Sequence, residues 1–163
     1  MPIKRIVNAS PLILLTKIGR IDLLFADDVD VVVPMPVLQE VSPDPGDPAD
    51  PIVRAIFDAR GSVAMPSSPV PETLSRWKLD PGEESVLTVA LQSPGCEVVI
   101  DDLAGRRCAK EHGVKLLGTL GLVILAKRLD RITEARPIIE DLRRVGLYVK
   151  ENVIADALKQ AGE

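Results

Sequence analysis

The 163-residue chain is poor in the residues on which several chemistries depend. Its aromatic side chains are Phe25, Phe57, Trp77 and Tyr148, only 2% of the chain, so the core must be aliphatic. The same scarcity argues against an extended aromatic platform for stacking single-stranded bases. Two cysteines, Cys96 and Cys108, stand too far apart for a CxxC redox pair, and there is one histidine, His112. That set cannot fill a four-ligand zinc site. The thiols read as reduced residues of a cytoplasmic protein. The longest apolar runs, 31–38 and 120–126, fall well short of the roughly 20 residues of a membrane span. The start, Met1-Pro2-Ile3-Lys4-Arg5-Ile6-Val7, lacks an apolar segment with a small-residue cleavage site, so neither secretion nor membrane insertion is expected.

Hydrophobic residues make up 46% of the chain and charged ones 27%, the balance of a soluble globular fold. A chain of this size buries about 68–70% of its unfolded surface and needs no metal or disulfide staple. Net charge is −4 but unevenly spread. Residues 1–105 hold 8 Lys/Arg against 16 Asp/Glu, and residues 106–150 hold 11 against 5. The basic block is open to two readings: one face for an anionic partner, or ordinary solvated helix surfaces.

Short β-branched runs alternate with helical patterns, and no internal repeat is visible. Lys4 to Val7 reads as a strand, and Ser10-Pro11 as the cap and first position of a helix that Gly19 ends. Asp22 to Phe25 reads as a helical turn. Val31-Val32-Val33 is a second strand, and Pro34 and Pro36 lead into a short helix carrying Leu38 and Glu40. The Pro/Asp-rich stretch 42–51 reads as a surface loop, as does the Pro/Ser stretch 66–71. Helices are expected near 82–91, 104–112, 120–130, 135–145 and 152–161. Strands are expected at Glu97 to Ile100 and Val114 to Leu117, with Leu147-Tyr148-Val149 as an edge strand. Strands separated by helices predict α/β: a central, mostly parallel sheet covered on both faces.

In an open parallel sheet, ligands gather at the carboxyl ends of the strands. Asn8 follows the first strand and Asp101-Asp102 the strand at 97–100, while Glu40 and Glu83 sit on helices next to strand ends. Taken singly, each acid is equally a turn former or a helix cap. Converged, they would repel strongly, and an all-carboxylate oxygen site suits Mg²⁺ or Mn²⁺.

These residues carry a resemblance. Ile6-Val7-Asn8-Ala9-Ser10-Pro11-Leu12-Ile13, Pro34-Met35-Pro36-Val37-Leu38-Gln39-Glu40-Val41, Pro81-Gly82-Glu83-Glu84, Ile100-Asp101-Asp102 with Gly105-Arg106-Arg107, and Gly118-Thr119-Leu120-Gly121 look like PIN domains. More narrowly, they resemble a prokaryotic PIN-like subfamily of unknown function related to VapC toxins. The resemblance implies a three-layer α/β/α sandwich, residues 1–150 forming the domain and 151–163 a closing helix packed on it. It also implies a Mg²⁺- or Mn²⁺-dependent ribonuclease, the toxin component of a toxin–antitoxin pair, with RNA as substrate and an antitoxin protein as partner. The family's first acid falls on Asn8, its second on Glu40, its third on Glu83 and its fourth on Asp101, with Asp102 auxiliary. Glu40, Glu83 and Asp101 would then be metal ligands, and Ser10, Arg106, Arg107 and Thr119 would contact RNA.

Asn8 departs from the pattern, because an amide can coordinate a cation but brings neither charge nor a general base. The alternative is therefore a catalytically impaired PIN-fold module that binds RNA or a partner protein. A receiver domain, suggested by Val99-Ile100-Asp101-Asp102, fits poorly because the acidic pair comes late and no strand-end Asp follows it. Leu12, Ile13, Leu15, Ile18, Leu23 and Leu24 offer more apolar surface than one small sheet needs, which suggests a homodimer.

Overall fold

The computed structural model describes residues 2–66 and 69–163, so Ser67 and Ser68 of the Pro/Ser stretch lie outside the described residues. Five parallel strands form one sheet: β1 (Ile3–Val7), β2 (Val29–Pro34), β3 (Ser62–Ala64), β4 (Glu97–Val99) and β5 (Lys115–Leu117). Their order is β3-β2-β1-β4-β5. The chain thus builds outward on one side of β1, then crosses to the other, and β1 and β4 flank the point where direction reverses. In such sheets that point is where neighbouring strand ends splay apart and leave a crevice for ligand.

The helices are α1 (Ala9–Lys17), α2 (Met35–Val41), α3 (Pro51–Asp58), α4 (Glu72–Ser75), α5 (Pro81–Leu91), α6 (Leu103–Glu111), α7 (Thr119–Arg128), α8 (Arg136–Arg144) and α9 (Glu151–Gln160), with a 3₁₀ turn at Ile21–Phe25. Together with the sheet they make the three-layer α/β/α arrangement. Helix α5 packs on β1, β2 and β4 and against α2. Its Val86, Leu87 and Ala90 are buried beside Ile6, Val33 and Val98, an aliphatic core as the lack of aromatics requires. Helix α9 packs on α7, with Ile154 and Leu158 joining the same core.

Local physics explains where the sequence reading holds and where it departs. Helix α1 starts one residue before Ser10: Asn8 is its N-cap, and Pro11 fits inside the first turn, where its missing N–H costs nothing. Helix α3 and strand β3 were not expected. The first lies just past the proline loop, capped by Asp50, whose carboxylate accepts from Ile52 and Val53 N–H. The second is a three-residue edge strand, too short to carry an alternation. Leu147-Tyr148-Val149 is not a strand. Leu147 N–H bonds Leu142 O to close α8, Gly146 turns at φ 125, and Lys150 already caps α9. That leaves no length for sheet pairing.

The stripe that suggested a dimer is used within the chain. Leu12, Leu15, Leu23 and Leu24 are buried, and Ile13 and Ile18 pack against the core. The basic block is likewise largely engaged. Lys115 pairs with Glu97, Arg143 with Glu151 and Arg144 with Asp141. Lys127 bonds Thr133 O, and Arg131 bonds Ala26 O. Both cysteines are buried free thiols, as read, and burial raises the pKa of each.

One buried charge ties the sheet together. Arg5, fully buried in β1, donates from Nε to Glu97 Oε1 at 2.7 Å and from Nη1 to Leu24 O at 2.7 Å. Its Nη1 and Nη2 also form a fork on Asp27 at 2.7 and 2.9 Å. Glu97 faces Arg5 across β1–β4 and Lys115 across β4–β5, so three strands share one charge ladder. Removing one partner of a buried pair strands the other, which costs about 3–5 kcal/mol. Arg5→Ala is expected to lose that much in urea unfolding. A loss below about 1 kcal/mol would mean that the ladder does not hold the sheet.

Candidate active site

The C-terminal ends of β1 and β4 open into a cleft of about 380 Å³. Asn8, Ser10, Glu40, Glu83, Asp101 and Asp102 all line it, so six of the residues read from sequence meet in one place. Asp80, which sequence reasoning missed, lines it too. Its signal was present in Asp80-Pro81-Gly82-Glu83, an Asp immediately ahead of a proline at the first helical position. Ala9, Leu14 and Gly146 complete the wall together with Leu147 and Tyr148, which lie in the segment expected to be a strand.

Each acid is held by a different local device. Asp80 caps α5 by accepting from Glu83 N–H at 2.8 Å. Asp102 caps α6 by accepting from Ala104 N–H at 3.0 Å. Asp101 is gripped from the next strand end: Thr119 donates its N–H to Oδ1 at 2.8 Å and its hydroxyl to Oδ2 at 2.6 Å. Thr119 is fully buried, so it has no surface to offer RNA, and what it does here is orient Asp101. Arg106 does not line the acidic cleft; its Nη1 donates to Ile100 O at 2.9 Å, and the side chain lines a neighbouring cleft that Asp101 shares. Arg107 is exposed and lines neither cleft. His112 lies outside the acidic cleft, with Nδ1 2.8 Å from Cys108 O.

The helix α2–α5 contact is close because residue 82 is glycine. A Cβ there would stand 2.7 Å from Glu40 Oε2, 3.4 Å from Asp80 Oδ1 and 3.5 Å from Asn8 Oδ1. Three oxygens from three elements thus crowd around a single point.

Asn8 is the most informative member. An Asn at an N-cap ordinarily spends its side-chain oxygen on a free helix N–H. Here it makes no such bond, and Oδ1 is buried without a partner in the wall of the cleft. An unsatisfied buried carbonyl costs about 1–3 kcal/mol, so an electropositive occupant is favoured at that atom.

The carboxylates carry the strain of proximity. Burial pushes Glu83 up to about 7, with the Asp80 and Asp102 charges adding to it. Glu40 is raised by partial burial and by Asp80. The donor set is all oxygen, which fits a hard divalent cation. Among the described residues no three His, Cys, Asp or Glu groups are arranged to hold a metal on their own. A cation in this cleft would therefore be held partly through water, with the Asn8 carbonyl as a further oxygen donor, as Mg²⁺ retains waters readily.

A five-stranded parallel sheet with an acidic cleft at its switch point defines a nuclease-like α/β/α domain. A family model, DUF3368, described as a PIN domain, matches residues 4–163, and the chain belongs to that PIN-domain family. None of the curated proteins matches it significantly. Among the described residues no helix is long and apolar enough to cross a membrane.

The raised Glu83 gives a pH signature. Folded Glu83 holds its proton more tightly than the unfolded chain does, so the folded state binds more protons between about pH 4.5 and 7. Stability falls as pH rises through that window. With chelator present, Glu83→Gln is expected to match wild type near pH 4.5 and to exceed it by about 2 kcal/mol at pH 8, by urea unfolding. An equal difference at both values would contradict a burial-driven shift.

Proposed function

We propose that the chain is a Mg²⁺- or Mn²⁺-dependent endoribonuclease. The observation that carries this reading is the orphaned Asn8 Oδ1 in a cleft with Glu40, Asp80, Glu83, Asp101 and Asp102. Asn8, Glu40, Glu83 and Asp101 would hold the cation, directly or through water. When bound, it would supply Lewis-acid charge on the phosphodiester and a water acidic enough to attack in line, leaving a 5′-phosphate and a 3′-hydroxyl.

The chain's own groups do the rest. Thr119 fixes both oxygens of Asp101, so that carboxylate keeps one orientation through turnover. Burial and the Asp80 and Asp102 charges raise Glu83 to about 7, so a cation bound beside it would displace its proton. Ser10, exposed at the rim beside Asn8, is placed to hydrogen-bond a substrate phosphate. Family membership supports the nuclease reading. The finer assignment, a toxin restrained by an antitoxin protein, rests on the resemblance of its motifs.

The test is incubation with a panel of RNAs in Mg²⁺, Mn²⁺ or EDTA. Wild type is expected to cut in either metal and not in EDTA, and Asp101→Asn to lose about a hundredfold or more. Asn8→Asp adds an anionic ligand and is expected to bind metal more tightly and to cut faster. Expression of wild type, but not of Asp101→Asn, is expected to arrest a bacterial culture. A second reading has one observation in its favour: Asn8 supplies no charge where the family has an acid. If neither wild type nor Asn8→Asp cuts any RNA with either metal, the chain is a binding module.

A further inference from the structure

A second cleft of about 380 Å³ adjoins the acidic one, sharing Asp101, Leu147 and Tyr148 with it. Its character differs. Leu116, Leu120, Val149 and Val153 give it apolar walls, and among the described residues Arg106 is the cation that lines it. Tyr148 stands on the divide with 92% of its surface exposed, although the backbone around it is fixed: Leu147 is buried and its N–H is bonded to Leu142 O. An aromatic ring left in water on a fixed backbone, beside an apolar slot, is a surface lacking a planar partner.

Arg106 adds a direction. Only its Nη1 is engaged among the described residues, on Ile100 O, and Gly118 makes room for it, since a Cβ there would lie 2.8 Å from Nη1. Nε and Nη2 remain as a parallel donor pair. Such a pair matches two adjacent acceptors, presented by guanine O6 and N7 and by cytosine O2 and N3; of the two, guanine has the larger ring to stack on Tyr148. Apolar walls with a few placed donors are the usual make-up of a small-ligand pocket.

We propose that this second cleft is a nucleobase subsite, taking a base next to the phosphate held in the acidic cleft, with Tyr148 as its stacking face and Arg106 reading a guanine edge. The inference rests on the ribonuclease reading for the position of the phosphate, and it extends that reading to base preference. It makes the RNA contact expected of Arg106 a contact with a base edge.

The chain has one tyrosine, so the ring signals of Tyr148 in a proton NMR spectrum are unambiguous. The four ribonucleoside 5′-monophosphates are titrated into the full chain, with Mg²⁺ and separately with EDTA. The ring signals are expected to move upfield and to saturate at lowest concentration with the guanine nucleotide. Arg106→Met, which removes every donor, is expected to erase the preference for guanine while leaving the ring shift. Tyr148→Ala, at a position too exposed to disturb folding, is expected to weaken binding about fivefold or more, read on the Gly118 and Leu120 amides. Ring signals that move with none of the four nucleotides overturn the subsite. Ring shifts of equal midpoint for all four bases overturn the role of Arg106. Because binding is read without cleavage, a chain that shows the shifts yet cuts no RNA keeps the subsite and loses only the enzyme assignment.

Discussion

Like charges gathered at one end of a parallel sheet must be neutralised, and much of this chain is arranged around that constraint. Two carboxylates about 5 Å apart repel by roughly 3 kcal/mol at an effective dielectric near 20. In an all-parallel sheet each strand ends where the next helix begins, so the N-termini of α1, α6 and α7 meet the acids at the same edge as that of α5. Each helix terminus offers about 0.3–1 kcal/mol to a nearby anion. That is too little to balance five carboxylates. Burial raises Glu83 to about 7, so it takes up a proton as pH falls through that value and relieves one charge; in the function proposed, a cation relieves more.

The division of labour among the caps follows from this. Asp80 and Asp102 satisfy helix N–H groups, and Thr119 satisfies Asp101. Among the described residues of the cleft, Asn8 keeps a buried oxygen unspent. An amide there lowers the repulsion by one charge while retaining a ligand atom, which exchanges cation affinity for stability of the empty fold. On the strand side, the buried Arg5–Glu97 pair joins β1 to β4, and the exposed Lys115 extends it to β5. It thereby sets the relative height of Asn8 and Asp101 across the crevice.

The sequence made the sheet, most helices and the acid set legible, for physical reasons specific to each. Val31 to Val33 and Val98 to Ile100 are β-branched runs bounded by prolines or acids, and strand ends in a parallel sheet all face one way. The positions of Glu40 and Glu83 then follow from helix starts marked by Pro36 and Pro81. Arg5 was not legible as a buried cation, since its partners Asp27 and Glu97 are distant in sequence and its strand shows no alternation. Thr119 and Arg106 are each within a few residues of the cleft, and only side-chain direction separates a positioning role from a contact with substrate. Tyr148 sits in a β-like tripeptide, but the turn at Gly146 and the start of α9 give it a wall to form instead of a strand.

The most direct measurement is anomalous diffraction at the manganese edge from crystals soaked in Mn²⁺. The account places one ion within about 2–2.3 Å of Asn8 Oδ1, with the carboxylates of Glu40, Glu83 and Asp101 around it directly or through water. Crystals of Asp101→Asn should show the peak weakened at the same position. A cleft without an anomalous peak at saturating Mn²⁺, or a peak held elsewhere with Asn8 Oδ1 still unpartnered, would contradict the claim that this oxygen cluster is built for a cation.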